Sequence, residues 1–230
     1  MKKILWAMVA AILLFFIFHF AIEFPKVRER AYSATCNSFI GEIGLHLHQY
    51  HQIHGRFPPA YQVNSRGAPV HSWRVLLLEV IDSELFKEYK FNEPWNGPNN
   101  CQLESRMPSC YSCPSDYRAK KKYQTNYFVV VGNDTLFPGP KAHSLKDIEN
   151  PTSSTIMVVE AIGQGVHWME PRDLNYDAMS FQPNDQSGMG VSSNHRKSPW
   201  VCMVDVSRRR ATEFPINQFK EMFLIKSLKN

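Results

Sequence analysis

Five cysteines are the residues best suited to chemistry, and their spacing favours structural cross-links. Cys110 and Cys113 form a CxxC motif, which is compatible with metal binding, redox exchange or structural bridging. A zinc site would need a second CxxC or paired histidines. A thioredoxin-like site would need a helix after the motif, where residues 114–116 (Pro-Ser-Asp) predict a turn. We therefore predict disulfides between distant cysteines, which require an oxidising compartment, with at least one thiol left free. The five are Cys36, Cys101, Cys110, Cys113 and Cys202.

Two groups of polar residues stand among aromatic residues and are candidates for a ligand pocket. In such a pocket an arginine would bind a carboxylate or a phosphate through its forked donors. The alternative is a buried ion pair with a hydrogen-bond network that holds irregular loops in place, and we favour this interpretation because buried backbone groups need partners. The candidate residues are His71, Trp73, Arg74, Glu170, Arg172 and Asp173.

Histidines also cluster, at His46, His48, His51 and His54, near the end of a predicted helix. Two histidines three residues apart can ligate a metal, but no HExxH motif or carboxylate pair accompanies these. We expect them to lie at the surface and at the C-terminal end of the helix, where cations are favoured. The sequence predicts neither a metal nor a cofactor.

A serine-rich segment, Ser192 to His195, invites comparison with a nucleophile and its base. The chain has no G-x-S-x-G motif, and no acidic partner for the histidine is identifiable from the sequence. We therefore predict no catalytic residues and no enzymatic activity.

The charge balance argues against a nucleic-acid partner. Lys and Arg total 26 against 21 for Asp and Glu, a formal net charge of +5. The two densest basic runs, Arg118 to Lys122 and Arg208 to Arg210, are short and far apart, whereas nucleic-acid binders show a long basic stripe with interleaved aromatics. Each run is typical of a solvated loop or the end of a strand.

The N-terminal segment predicts a membrane anchor. Ile4 to Ile22 is apolar except for His19, and as a helix it would be about 28 Å long, which matches the hydrocarbon core of a bilayer. The run exceeds the apolar part of a cleaved signal, and the following residues 23–26 (Glu-Phe-Pro-Lys) do not suit signal peptidase. We predict a single-pass protein of the inner, cytoplasmic membrane, anchored by residues 4–22, whose domain faces the periplasm or the cell exterior.

The remainder predicts an α+β domain with a mostly antiparallel sheet and long irregular loops. Residues 1–25 would form the anchor and 26–230 a single extracytoplasmic domain. Amphipathic spacing predicts a second helical half from Lys26 to His54, with Pro25 at the junction and Gly55 ending it. Helices are also predicted at Ser72 to Val80, Ser83 to Tyr89 and Asn217 to Ser227, and strands at Asn126 to Val131, Thr155 to Ile162 and Trp200 to Val206.

Several motifs follow one another along the chain: Cys36-Asn37, IGLHLHQYHQIHGRFPPAY (43–61), HSWRVLLL (71–78), FNEPWNGPNN (91–100), CPSD (113–116), TNYFVVVG (125–132), FPGP (137–140), TIMVVE (155–160), WMEPRDL (168–174) and SSNH (192–195). Together they resemble a bacterial family known as domain of unknown function 1559. The resemblance spans about residues 30 to 210 and implies a pilin-like architecture with a long N-terminal helix, half of it in the membrane. It also implies a Cys36–Cys113 bridge, leaving Cys101 and Cys110 to pair and Cys202 buried and free.

Two departures from the family pattern matter. The apolar run begins at Ile4 without the Gly-Phe junction or glutamate of a prepilin site, so the sequence does not support prepilin processing or assembly into a filament. The family's Asp-Gly-Ser turn is Asp205-Val206-Ser207 in this chain, which predicts a different turn because valine disfavours positive φ. We expect a non-enzymatic, pilin-like envelope or assembly component that associates with itself or other envelope proteins. The alternative is a membrane-tethered binding protein for a small solute.

Overall fold

One helix, α1, runs without interruption from Lys2 to His54 in the computed structural model, which describes residues 2–185 and 189–226. The helix continues through Pro25, so the two predicted halves form one element. The halves differ in their surroundings. Apolar side chains of the first half are exposed, for example Phe15 at 65% and Ile17 at 63%. The second half buries a stripe at three- and four-residue spacing, as an amphipathic helix does: Cys36, Ile40, Ile43 and Leu47.

Among the side chains that the structure describes, no helix has a stretch both long and apolar enough to cross a bilayer. Within the predicted anchor, the side chains of Leu5, Ala7, Ala10 and Ala11 lie outside the described set.

The sheet that α1 packs on has four strands in the order β3-β5-β7-β8, and every neighbouring pair is antiparallel. A separate hairpin pairs β1 with β2, and the two-residue strands β4 and β6 pair in parallel. The strands are β1 (Tyr61–Val63), β2 (Pro69–Ser72), β3 (Tyr127–Phe128), β4 (Val130–Val131), β5 (Ile156–Glu160), β6 (Leu174–Asn175), β7 (Trp200–Met203) and β8 (Arg208–Arg210). The shorter helices are α2 (Trp73–Leu76), α3 (Leu78–Ile81), α4 (Ser83–Glu88), α5 (Tyr117–Lys121) and α6 (Ile216–Glu221).

The sheet has two apolar faces. Alternation along β7 places Cys202 in the core shared with α1 and Val201 in the core shared with α6 and the residues that follow it. On β5 the consecutive residues Met157 and Val158 both belong to the first core, where the pairing of β5 with β7 has an irregular register. The close approach of α1 depends on Gly44, since a Cβ there would lie 2.7 Å from Cys202 Sγ. The α+β class and the mostly antiparallel sheet predicted from the sequence are confirmed.

Several local predictions need correction. The Arg208 to Arg210 run is strand β8. The predicted helix from Ser72 to Val80 is two short helices, with the Ser72 side chain capping α2. The terminal helix α6 ends at Glu221, and the predicted end at Ser227 falls outside the described residues.

The turn at Val206 also differs from the prediction. Val206 has φ of 65°, so the left-handed conformation is kept although a β-branched side chain disfavours it by about 1–2 kcal/mol. The turn is held by its hydrogen bonds, because Val206 N–H donates to Met203 O and Ser207 N–H donates to Asp205 Oδ1, each at 2.9 Å. The Val206 side chain also packs on the core, and we infer that these contacts offset the backbone strain.

Candidate functional site

A disulfide joins Cys36 of α1 to Cys113, and both residues are fully buried. Their Cα atoms are 5.5 Å apart, and the bridge connects positions 77 residues apart in sequence. The pairing that the family resemblance implied is therefore confirmed. Cys202 is buried and free, also as expected. The bridge attaches α1 to the loop that precedes α5.

The predicted bridge between Cys101 and Cys110 is wrong, because both cysteines are free. They occupy opposite environments. Cys101 is exposed on the 3-10 helix Asn100–Arg106, while Cys110 packs in the core next to Tyr111. Burial raises the pKa of the Cys110 thiol to about 12, which makes it a poor nucleophile at neutral pH.

His195 lies against the disulfide. Its Nε2 is 3.3 Å from Cys113 Sγ, and its side chain is completely buried. On the other side of the ring, Nδ1 is 3.0 Å from Glu29 Oε1, a carboxylate that α1 contributes from 166 positions earlier in the chain. The His195 ring therefore lies between the disulfide and the Glu29 carboxylate.

Glu160, the last residue of β5, completes the group. Its side chain is fully buried, and one carboxylate oxygen lies 3.8 Å from His195 Nε2. Oε1 accepts a hydrogen bond from Ser193 Oγ at 2.7 Å, and Oε2 accepts one from Trp200 N–H at 3.0 Å. Burial raises the pKa of Glu160, and these two hydrogen bonds oppose that shift.

Four ligand-type atoms therefore meet in one place, which we call the Cys–His–Glu cluster: Cys36, Cys113, Glu160 and His195. The atoms lie within 4.8 Å of one another and all four residues are buried. From the sequence, His195 was a candidate base without an identifiable acidic partner, whereas the structure shows two acidic partners, Glu29 and Glu160. No local spacing signals this, because the four residues come from four separate segments.

Three of the six predicted ligand residues, Trp73, Arg74 and Asp173, form a buried side-chain network. The Arg74–Asp173 ion pair spans 2.8 Å, and the side chains are 0% and 1% exposed. Asp173 also accepts a hydrogen bond from Trp73 Nε1 at 3.1 Å. The remaining guanidinium donors bind backbone carbonyls, those of Trp168, Tyr127, Glu170 and Arg172. The geometry matches the loop-fixing network that the sequence analysis favoured.

The other predicted pocket residues lie apart from this ion pair. His71 contacts the Tyr89 hydroxyl at 2.9 Å, and Arg172 pairs with Glu170 at 2.6 Å near the surface. A cavity of about 410 Å³ touches Arg172 and Asp173 and is otherwise lined by other parts of the chain. This cavity therefore brings two of the six residues together.

Three of the four helix histidines connect the end of α1 to other parts of the chain, and His46 contacts a residue of α1 itself. His48 Nε2 lies 2.6 Å from Val204 O, His51 Nε2 accepts from Leu145 N–H at 3.1 Å, and His54 pairs with Glu79 at 2.7 Å. His46 contacts Gln49 at 2.9 Å. These contacts face different neighbours, so the histidines do not converge on a common point.

A basic cavity of about 440 Å³ lies beside α1 just after Pro25. Its charged lining is mostly cationic: Glu29 is joined by Lys26, Arg30, Arg196, Lys197 and Arg210. The Arg210 guanidinium stacks 3.6 Å from the centre of the Trp200 ring.

Comparison with known proteins gives a family and no function. No curated protein and no solved structure shows significant similarity to this chain. A family model described as "Protein of unknown function (DUF1559)" matches residues 25–139, which is half of the chain and includes Cys36 and Cys113. The protein belongs to this family, DUF1559.

Proposed function

We propose that this protein is a membrane-anchored, non-enzymatic subunit of the cell envelope with a pilin-like architecture. The observation that carries the proposal is the contrast within α1. Its first half exposes apolar side chains, while its second half packs on a four-stranded sheet. A helix of this kind suits a subunit that is held in a bilayer at one end and carries a water-facing domain at the other.

Hydropathy supports the anchor. Residues from Ile4 to Ile22 contain one polar side chain, His19, and leaving so many apolar side chains in water would be unfavourable. The exposed side chains of this segment include Phe16, Phe18 and Phe20. Lys2 and Lys3 precede the segment and Lys26, Arg28 and Arg30 follow it, so the positive charges balance and the orientation is argued from the disulfide.

The disulfide supports an extracytoplasmic domain. Disulfides persist in oxidising compartments and are rare in the cytosol, so the Cys36–Cys113 bridge suits a domain in the periplasm or at the cell exterior. Cys101 offers a natural reporter of this location because it is exposed, whereas Cys110 and Cys202 are buried.

We expect a membrane-impermeant maleimide to label Cys101 in cells whose outer membrane has been permeabilised. The protein should also stay in the membrane fraction after an alkaline wash, since a spanning helix is not released by high pH. The measurement is the mass that maleimide labelling adds to the protein, compared before and after the inner membrane is disrupted. The Cys101→Ala variant should remain unlabelled. Labelling that needs inner-membrane disruption, or release of the protein by the wash, would refute the proposed location.

Exposed apolar residues on the packed half of α1 support association with other subunits. Leu45 and Ile53 are 55% and 60% exposed, next to the buried stripe that holds the helix on the sheet. Apolar side chains exposed beside a packed stripe are suited to a protein–protein contact.

We expect an amine-reactive crosslinker to give a ladder of oligomers from membranes at native abundance. A Leu45→Glu/Ile53→Glu variant should lose most of that ladder, because a charge buried in an apolar contact costs several kcal/mol. Val63→Glu is the matched control, since Val63 is also an exposed apolar residue but lies on the β1 hairpin. A purely monomeric pattern, or equal ladders from both variants, would count against self-association.

A further inference from the structure

We propose that reduction of the Cys36–Cys113 disulfide by a dithiol converts the Cys–His–Glu cluster into a tetrahedral zinc site. In the first step the dithiol transfers two electrons and two protons to the bridge. The dithiol is thereby oxidised to its own disulfide, and Cys36 and Cys113 become thiols. In the second step one Zn²⁺ binds both sulfurs as thiolates, which releases two protons to solvent. His195 and Glu160 supply the third and fourth ligands. The proposal does not depend on the function proposed above.

Ligand spacing supports a tetrahedral site. Zinc bonds of about 2.0–2.3 Å in a tetrahedron place neighbouring ligand atoms about 3.3–3.8 Å apart. Two of the required separations already exist, because His195 Nε2 is 3.3 Å from Cys113 Sγ and 3.8 Å from a Glu160 oxygen. Once the bridge is reduced, the two sulfurs need to separate. The Cα atoms of Cys36 and Cys113 are 5.5 Å apart, a distance from which rotated side chains can reach one ion.

The surrounding contacts are those of a metal centre. A zinc-bound histidine usually donates its other ring N–H to a carboxylate, and His195 Nδ1 lies 3.0 Å from Glu29 Oε1. Ligating carboxylates are in turn hydrogen-bonded, and Glu160 accepts hydrogen bonds from Ser193 Oγ and Trp200 N–H. The partners that orient both non-sulfur ligands are therefore already in place.

Charge and ligand type select the ion. Two thiolates, an imidazole and a carboxylate form a mixed soft and borderline set that suits Zn²⁺, whereas Ca²⁺ and Mg²⁺ require oxygen ligands.

An entry route exists beside the cluster. A cavity of about 190 Å³ is lined by Glu29, Ser115 and Asn194 among others. The Ser115 hydroxyl lies 3.1 Å from Cys113 Sγ, and Asn194 precedes His195 in the chain. This cavity therefore brings solvent close to the sulfur that a dithiol would attack.

The test uses full-length protein in detergent, reduced with a phosphine, which does not compete strongly for zinc, and titrated with Co²⁺ and then Zn²⁺. A Cys101→Ala/Cys110→Ala/Cys202→Ala background leaves Cys36 and Cys113 as the only thiols. We expect one equivalent of Zn²⁺ after reduction and none while the disulfide is intact. Bound Co²⁺ should show thiolate charge-transfer and tetrahedral absorption bands, which Zn²⁺ abolishes.

Variants of the carboxylates separate this site from adventitious binding. Glu29→Gln should weaken Zn²⁺ binding about 10- to 100-fold by removing the partner of His195, and Glu160→Gln should weaken it at least as much. His54→Asn, a histidine outside the cluster, should bind as the parent does. If the triple background does not fold, Cys36→Ala in the wild-type chain must abolish the Co²⁺ bands. Substoichiometric zinc in the reduced protein, or unchanged affinity in both carboxylate variants, overturns the proposal.

Discussion

Cys36→Ala is expected to lower the free energy of unfolding by about 4.5 kcal/mol, measured in buffer containing a metal chelator. The reason is the loop that the bridge closes. Cys36 and Cys113 are 77 residues apart, and a cross-link over that distance removes much of the entropy of the unfolded chain. The measurement is denaturant unfolding of the full-length protein in detergent, followed by tryptophan fluorescence.

Cys101→Ala is the matched control for this prediction. Cys101 is exposed and unbridged, so its replacement should change the free energy of unfolding by no more than about 0.5 kcal/mol. Reducing the wild-type disulfide in the same buffer should reproduce the loss seen in Cys36→Ala. A loss below about 1 kcal/mol in that variant would show that the bridge contributes little to stability.

Arg74→Met is expected to lower the free energy of unfolding by about 3–5 kcal/mol, because it leaves the Asp173 carboxylate buried without its cation. The variant also removes the donors of several loop carbonyls. Burial raises the pKa of Asp173 and Arg74 opposes that shift, so the carboxyl should have a still higher pKa in the variant. A raised pKa favours the folded state at low pH. The deficit relative to wild type should therefore shrink as the pH falls.

Two companion variants make this prediction specific. Arg172→Met removes an arginine whose side chain is 54% exposed, so its effect should stay within about 1 kcal/mol. Arg74→Met/Asp173→Asn should recover part of the lost stability, since the second change removes the unpaired charge. Equal losses from Arg74→Met and Arg172→Met would contradict the role given to the buried pair.

The spacing of apolar residues along the chain predicted the main helices and strands without a structure. A three- and four-residue spacing of apolar side chains predicted the packed half of α1, and apolar β-branched runs predicted β5 and β7. Strand β8 was missed because it consists of three arginines, and pairing with β7 rather than intrinsic preference makes it a strand. Val206 keeps a left-handed turn for a similar reason, since the contacts around it outweigh its own preference.

The network around Arg74 shows that residue types alone do not predict which side chains will pair. The residue types indicated that an arginine and an acid would form hydrogen bonds with irregular loops, but the six candidate residues include two arginines and two acids. Only the fold placed Asp173 against Arg74 and left Glu170 and Arg172 near the surface. The local sequence does not indicate which of several acidic residues will lie beside a given arginine.

The sequence by itself determined the long helix, the α+β class, the apolar N-terminal segment and the family. The first three depend on residue types and on spacings of a few positions, which physical chemistry converts directly into helices, strands and buried faces, whereas the family was indicated by motifs that resemble it. The family resemblance implied the Cys36–Cys113 pair, and only the tertiary structure added Glu160 and His195 to it, with Glu29 behind the histidine. Their proximity arises from packing α1 against the sheet and its loops, because contacts between distant segments leave no pattern in a single chain.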